Sequence, residues 1–139
     1  MTANEFDFQY TEGQMRRSSM AECELECSQI TETLFVSGVK VAMDYSYLSK
    51  HNITRVVNCC NMIVGNVHED KGVEYLSLHM CDDKSEDLNW FIWSVIAFIV
   101  GFEGDSKRGS YNSSSNILIH CEKGISRSCS LVILYLMWK

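Results

Sequence analysis

The stretch from Ile117 to Trp138 restricts the possible folds of this chain more than any other. It reads as three apolar residues, Ile117-Leu118-Ile119, then a mostly small or polar run from His120 to Ser128, then an apolar run from Leu131 to Trp138. An apolar run without polar alternation suits a strand buried on both faces, and such strands belong to parallel sheets covered by helices. The same grammar recurs upstream. Ile30, Leu34 and Val36 surround a strand signal ending at Ser37-Gly38, and Val41, Ala42, Tyr45 and Leu48 follow at helical spacing. The β-branched run Ile53 to Val57 opens into Asn58-Cys59-Cys60, and Val73 to Met80 reads as another strand. Leu88 to Phe102 predicts a largely buried helix with Ser85 or Asp87 as N-cap, followed by a surface loop over Glu103 to Asn116. The expectation is an α/β fold with a central, mostly parallel sheet flanked by helices, in which ligands bind at the strand carboxyl ends.

A chain of 139 residues holds one such domain, and a hydrophobic share of 46% excludes wholesale disorder. The formal charge of −6, with basic pairs only at Arg16-Arg17 and Lys107-Arg108, argues against nucleic acid as a partner. Seven cysteines are an odd number and two are adjacent, while the N-terminus is acidic without a secretory apolar region. A reducing cytoplasmic or nuclear setting is expected. Leu88 to Phe102 is interrupted by Asn89 and Ser94 and falls short of the roughly 20 residues that cross a bilayer, so no membrane association is expected. Residues 1–27 lack a sustained apolar period and are expected to form a flexible tail, with Ser19 behind Arg16-Arg17 as a modification site; the domain runs over 28–139.

The chemistry concentrates in the loop between the last strand and the last helix. Successive amides from Glu122 through Lys123, Gly124, Ile125 and Ser126 to Arg127 can curl around one point and bind an oxyanion. The following helix directs its N-terminal dipole there, which favours phosphate and favours thiolate over thiol at Cys121. Gly124 allows a positive φ or a close backbone approach, and Arg127 offers a planar two-pronged donor to phosphate oxygens. Ser128 can hydrogen-bond the sulfur and help it leave. His-Cys with glycine three and arginine six positions later arises by chance in a chain this long at a probability on the order of 10⁻⁴.

HCEKGISRS resembles the signature of the cysteine-dependent protein tyrosine phosphatases, and its GISRS half resembles the dual-specificity branch. ITETLFVSGVKVAMDYSYLSKHNITRVVNC is similar to the opening strand, helix and strand of that branch, MCDDKSEDLN to its general-acid loop, and SLVILYLMWK to its post-signature helix, as in MAP kinase phosphatases. The resemblance implies a protein-tyrosine-phosphatase-like fold and hydrolysis of phosphotyrosine and phosphoserine or phosphothreonine through a cysteinyl-phosphate. It implies a phosphoprotein substrate, a MAP kinase among the options, and neither metal nor cofactor.

Phosphomonoester cleavage needs an acid, because an alkoxide or phenoxide leaves poorly unless protonated. The resemblance puts Asp82 in that role, with Asp83 next, whereas Asp87 is better read as a helix cap. His120, as the resemblance also implies, orients the loop rather than serving as a base. Asn58 either braces that loop or is a strand-end turn residue, and Lys123 either adds positive potential or is solvated. Cys59, Cys60, Cys81 and Cys129 lack metal-ligand spacing; one of them pairing with Cys121 under oxidation is open. The family's domain continues with further helices past the signature helix, so the C-terminal helices are expected to be missing and apolar faces of Leu131, Leu134 and Trp138 exposed. A phosphate-binding regulatory fragment without turnover, or a phosphoinositide or RNA phosphatase, are the alternatives.

Overall fold

The computed structural model describes residues 25–81, 87–107, 115–124 and 126–139, with backbone alone for 102–107. Its elements are β1 (Cys27–Gln29), β2 (Leu34–Ser37), α1 (Val39–Ala42), α2 (Tyr45–Lys50), β3 (Ile53–Asn58), a short 3₁₀ turn (Glu69–Lys71), β4 (Glu74–Ser77), α3 (Asn89–Lys107), β5 (Asn116–His120) and α4 (Arg127–Trp138). The strands form one sheet in the order β1-β2-β5-β3-β4, parallel except for the antiparallel β1 edge.

β5 occupies the centre because Ile117, Leu118 and Ile119 are apolar toward both faces, each at most 1% exposed. Successive side chains alternate between two cores. Leu34, Val36, Val57, Ile117 and Ile119 pack with α3 and α4, whereas Phe35, Val56 and Leu118 pack with Ala42 of α1 and Leu48 of α2. Ile53 shares Val56's side, three residues away, because the β3–β5 register shifts between Ile53 and Arg55.

Several boundaries differ from the sequence expectation. The apolar positions from Val41 to Leu48 form two helices rather than one. Met43 closes the first and Asp44 caps the second, its Oδ1 accepting from Tyr47 N at 3.3 Å. The strand expected over Val73 to Met80 stops at Ser77, leaving His79 in an isolated bridge with Cys60. The long helix continues to Lys107, beyond the expected Phe102, so the expected loop is shorter at both ends. Glycine weakens a helix by only about 1 kcal/mol, and packing of its first three turns carries α3 through Gly101.

Nor is α3 buried on most faces. Ile92, Val95, Ile96 and Ile99 turn inward at i, i+3, i+4 and i+7, while Trp90 and Trp93 are 80% and 64% exposed. Asp87 acts at its start, Oδ1 accepting from Asn89 N at 3.0 Å; Ser85 lies outside the described residues. In α4, Leu131 is fully buried against expectation and Leu134 is half-buried, since the face pointing to the sheet carries Leu131, Val132 and Tyr135. The outward side is Ile133, Leu136, Met137 and Trp138.

Candidate active site

β5 delivers His120 and then Cys121 to the carboxyl end of the sheet, where α4 begins six residues after the cysteine. Cys121 is buried, and its Sγ receives the Gly124 N–H at 3.2 Å and lies 3.1 Å from Ser128 Oγ. Ser128 sits in the first turn of α4, fully buried, and its hydroxyl can donate to a thiolate. Donors aimed at sulfur stabilise its charged form. Gly124 has φ 73°, and a Cβ there would fall 2.5 Å from Gly38 N, so both conformation and space demand glycine. Its carbonyl accepts from Cys129 Sγ at 3.2 Å.

The helix expected from Leu131 begins instead at Arg127, because the polar turn Arg127-Ser128-Cys129-Ser130 is the wound start of α4. Arg127 is buried. Its Nη1 donates to Met80 O at 3.4 Å and its Nη2 lies 3.7 Å from Glu122 Oε2. Its Nε is buried with no hydrogen-bond partner among the described residues. A buried guanidinium with an unsatisfied donor is a strong anion site, since each unpaired buried donor costs on the order of 1–3 kcal/mol until an acceptor arrives.

His120 is buried, and burial lowers its pKa to about 4, with a backbone hydrogen bond at Cys121 opposing that shift. It is therefore neutral at physiological pH. Its Nδ1 is 3.9 Å from Cys60 Sγ. Burial raises the pKa of Cys59, Cys60 and Cys129, with Cys121 nearby adding to each, and Arg127 opposing the shift at Cys59 and Cys60. These thiols stay protonated.

Asn58 works one loop away from the cradle. It is fully buried, Nδ2 donates to Val64 O at 2.8 Å and Asn66 Oδ1 at 3.1 Å, and Oδ1 accepts from Cys60 N at 3.0 Å. It shapes the turn after β3. Lys123 is half-buried, Ser126 is exposed, and Ile125 lies outside the described residues, as do Asp82 and Asp83. Cys81, just before them, is exposed.

Sequence reasoning missed two supports. Met80 supplies a carbonyl to Arg127, and the turn after β2 touches the cradle through Ser37, Gly38 and Val39. The second carried a signal: a serine-glycine pair closing a strand beside the central one leaves room for a neighbouring loop.

The sequence pattern of the family described as "Dual specificity phosphatase, catalytic domain" matches residues 34–139. The chain is 34% identical over 127 residues to Protein-tyrosine-phosphatase MKP1 of Arabidopsis thaliana, covering 91% of this chain and 15% of that protein. It is 32% identical over 110 residues to human Dual specificity protein phosphatase 18, covering 79% of this chain and 53% of the relative. The chain thus spans about half or less of the length of these two relatives. Among solved structures, the human tyrosine phosphatase-like serine/threonine/tyrosine-interacting protein superposes with a TM-score of 0.66 at 27% identity, over 81% of this chain and 73% of that one. DUSP15, at 21% identity over 80% of this chain and 64% of that one, shares the fold with a TM-score of 0.67. A signature cradle on this sheet, matched over the whole stretch from Leu34 to Lys139, makes the chain a member of the dual specificity phosphatase family.

Proposed function

We propose that this chain hydrolyses phosphomonoesters on tyrosine and on serine or threonine of proteins through a cysteinyl-phosphate. The observation carrying this reading is the Cys121 sulfur held between the Gly124 amide and the Ser128 hydroxyl, beside a buried arginine with an unpartnered donor. In the first step the Cys121 thiolate attacks phosphorus, the S–P bond forms, the ester P–O bond breaks, and Asp82 gives its proton to the leaving oxygen. The amides of Glu122 to Arg127 and the Arg127 guanidinium bind the equatorial oxygens, whose charge is greatest in the transition state. In the second step water attacks phosphorus while Asp82 takes its proton, the S–P bond breaks, and Ser128 donates to the departing thiolate. His120, neutral and buried, orients the loop through its hydrogen bond with the Cys121 backbone.

The substrate is a phosphoprotein, with a MAP kinase as one to test, and the compartment is the cytoplasm or nucleus. No helix among the described residues is long and apolar enough to cross a membrane. One observation favours the alternative of a phosphate-binding regulator: Glu122 sits 3.7 Å from Arg127 and competes with phosphate for it. The deciding comparison uses p-nitrophenyl phosphate, then phosphotyrosine and phosphothreonine peptides against a phosphoinositide. The enzyme reading expects turnover of both peptides, abolished by Cys121→Ser and severely reduced by Arg127→Lys, since an ammonium cannot reproduce the guanidinium fork. Activity in Cys121→Ser within tenfold of the parent would remove the nucleophile assignment.

A further inference from the structure

The cradle does not stand alone at the end of β5. The backbone turn joining β2 to α1 runs beneath it and meets it at three successive points. Cys121 N–H is directed at Ser37 O at 3.4 Å, and Val39 N–H donates to Glu122 O at 3.0 Å. Between these two, Gly38 faces Gly124 with no side chain on either. A Cβ on Gly38 would lie 3.0 Å from both C and O of Lys123 and 3.1 Å from Glu122 O, tighter than ordinary van der Waals contact. A Cβ on Gly124 would strike Gly38 N at 2.5 Å and Ser37 C at 2.6 Å. The conformation of Gly38, φ −84° and ψ −179°, is open to any residue, so space rather than backbone freedom selects glycine there.

We infer that the Ser37-Gly38-Val39 turn is a template for the phosphate cradle, and that Gly38 is a positioning residue for the Cys121 sulfur. This inference rests on the assignment of Cys121 as the reacting thiolate and names what holds it in register. The path is short. The Lys123 carbonyl that a Gly38 methyl would displace belongs to the same peptide unit as the Gly124 N–H, and that N–H donates to Cys121 Sγ at 3.2 Å. Moving the carbonyl by a few tenths of an ångström swings the N–H away from the sulfur. Hydrogen bonds to charged groups weaken steeply with misalignment, and their loss favours the protonated thiol. The extra methyl should therefore appear as a less acidic Cys121, without contact between Gly38 and the substrate.

Two variants separate this effect from general damage. Gly38→Ala adds the methyl. Val39→Pro deletes the N–H that anchors Glu122 O, at the first position of a helix, where proline is tolerated and the extended residue before it is compatible. Gly65→Ala is the control, since nothing lies within 4 Å of a Cβ there. The readout is the pH dependence of Cys121 alkylation by iodoacetamide, followed by mass spectrometry of the Cys121 peptide, with a thermal melt on each protein. The charged and titratable groups around the sulfur, Arg127, Glu122, His120, Cys59, Cys60 and Cys129, are identical in all four proteins, so a difference in midpoint reports the cradle's geometry.

The expected result is a Cys121 midpoint raised by about one to two units in Gly38→Ala and in Val39→Pro, the size of a lost hydrogen bond to a charged group. It should be unchanged in Gly65→Ala, and kcat/KM on p-nitrophenyl phosphate should fall in parallel at a pH below the midpoint. Midpoints of both variants within 0.2 units of a folded parent, on the order of the precision such a titration resolves, would overturn the template role. Because alkylation needs no turnover, a chain that cleaves no phosphate would contradict the proposed activity while leaving this test decisive.

Discussion

His120 shows how much one buried side chain can bind stability to pH. Its pKa is about 4 in the folded chain and near 6.5 when unfolded, so between these values the unfolded state takes up more protons. The stabilising contribution of the neutral imidazole is complete above pH 6.5 and is progressively lost as pH falls toward 4. Between pH 7 and pH 5 the loss is about 2 kcal/mol by linkage. Urea unfolding at both pH values should show that drop in the parent and a smaller one, by a similar amount, in His120→Gln; identical drops would mean the imidazole is not buried neutral. The acid is tested by kinetics, since Asp82 and Asp83 lie outside the described residues. Asp82→Asn should lower kcat by roughly 10² on alkyl or aryl phosphates with poor leaving groups and much less on activated esters, whereas Asp83→Asn does little. The reverse ranking moves the acid by one position. At this scale the sequence was legible where residue type alone decides chemistry. Cys121, Gly124, Arg127 and Ser128 meet in one place because their spacing wraps a single loop. Asn58 was ambiguous because its partners, Val64 and Asn66, are set by a turn that no periodicity announces.

Among the elements, the three inner strands were read more faithfully than the helices, whereas the edge strand β1 was not anticipated. Leu34–Ser37, Ile53–Asn58 and Asn116–His120 follow directly from apolar runs that only a doubly covered sheet can bury. Helix ends were misplaced because tertiary packing outweighs local signals. Arg127 and Ser128 look like loop residues but form the first turn of α4, held there by burial and by the sulfur contact. Gly101 looks like a stop but lies within α3. It is exposed, with nothing within 4 Å of an added Cβ, so Gly101→Ala should raise stability by about 0.5–1 kcal/mol without affecting activity. Denaturant unfolding measures this directly, and a destabilised variant would mean that α3 is not helical there. Arg55 shows a second cross-element tie, pairing with Glu74 at 2.7 Å and donating to Phe98 O of α3 at 3.1 Å. Neither partner could have been assigned from spacing, since Glu74 depends on the β3–β4 register that sets it opposite Arg55 and Phe98 on how α3 crosses the sheet.

For the whole molecule, the outward faces of α3 and α4 carry Trp90, Trp93, Ile133, Leu136, Met137 and Trp138 in water. Large exposed apolar side chains each forgo about 1.5–3 kcal/mol of burial, a sizeable fraction of a total stability of about 5–15 kcal/mol. The 139-residue chain should therefore sediment with a concentration-dependent mass and melt low in the mesophile range; a monomer at every concentration melting cooperatively above about 60 °C would contradict this. The proposed function rests on one covalent event at the sulfur beside Gly124 and Ser128. That event is measured by mixing the chain with p-nitrophenyl phosphate, quenching in acid within the first turnover, and mapping phosphorus by mass spectrometry. Phosphate on the Cys121 peptide, absent from Cys121→Ser, is the predicted result, and release of phosphate with no phosphorylated Cys121 at any quench time would contradict the account.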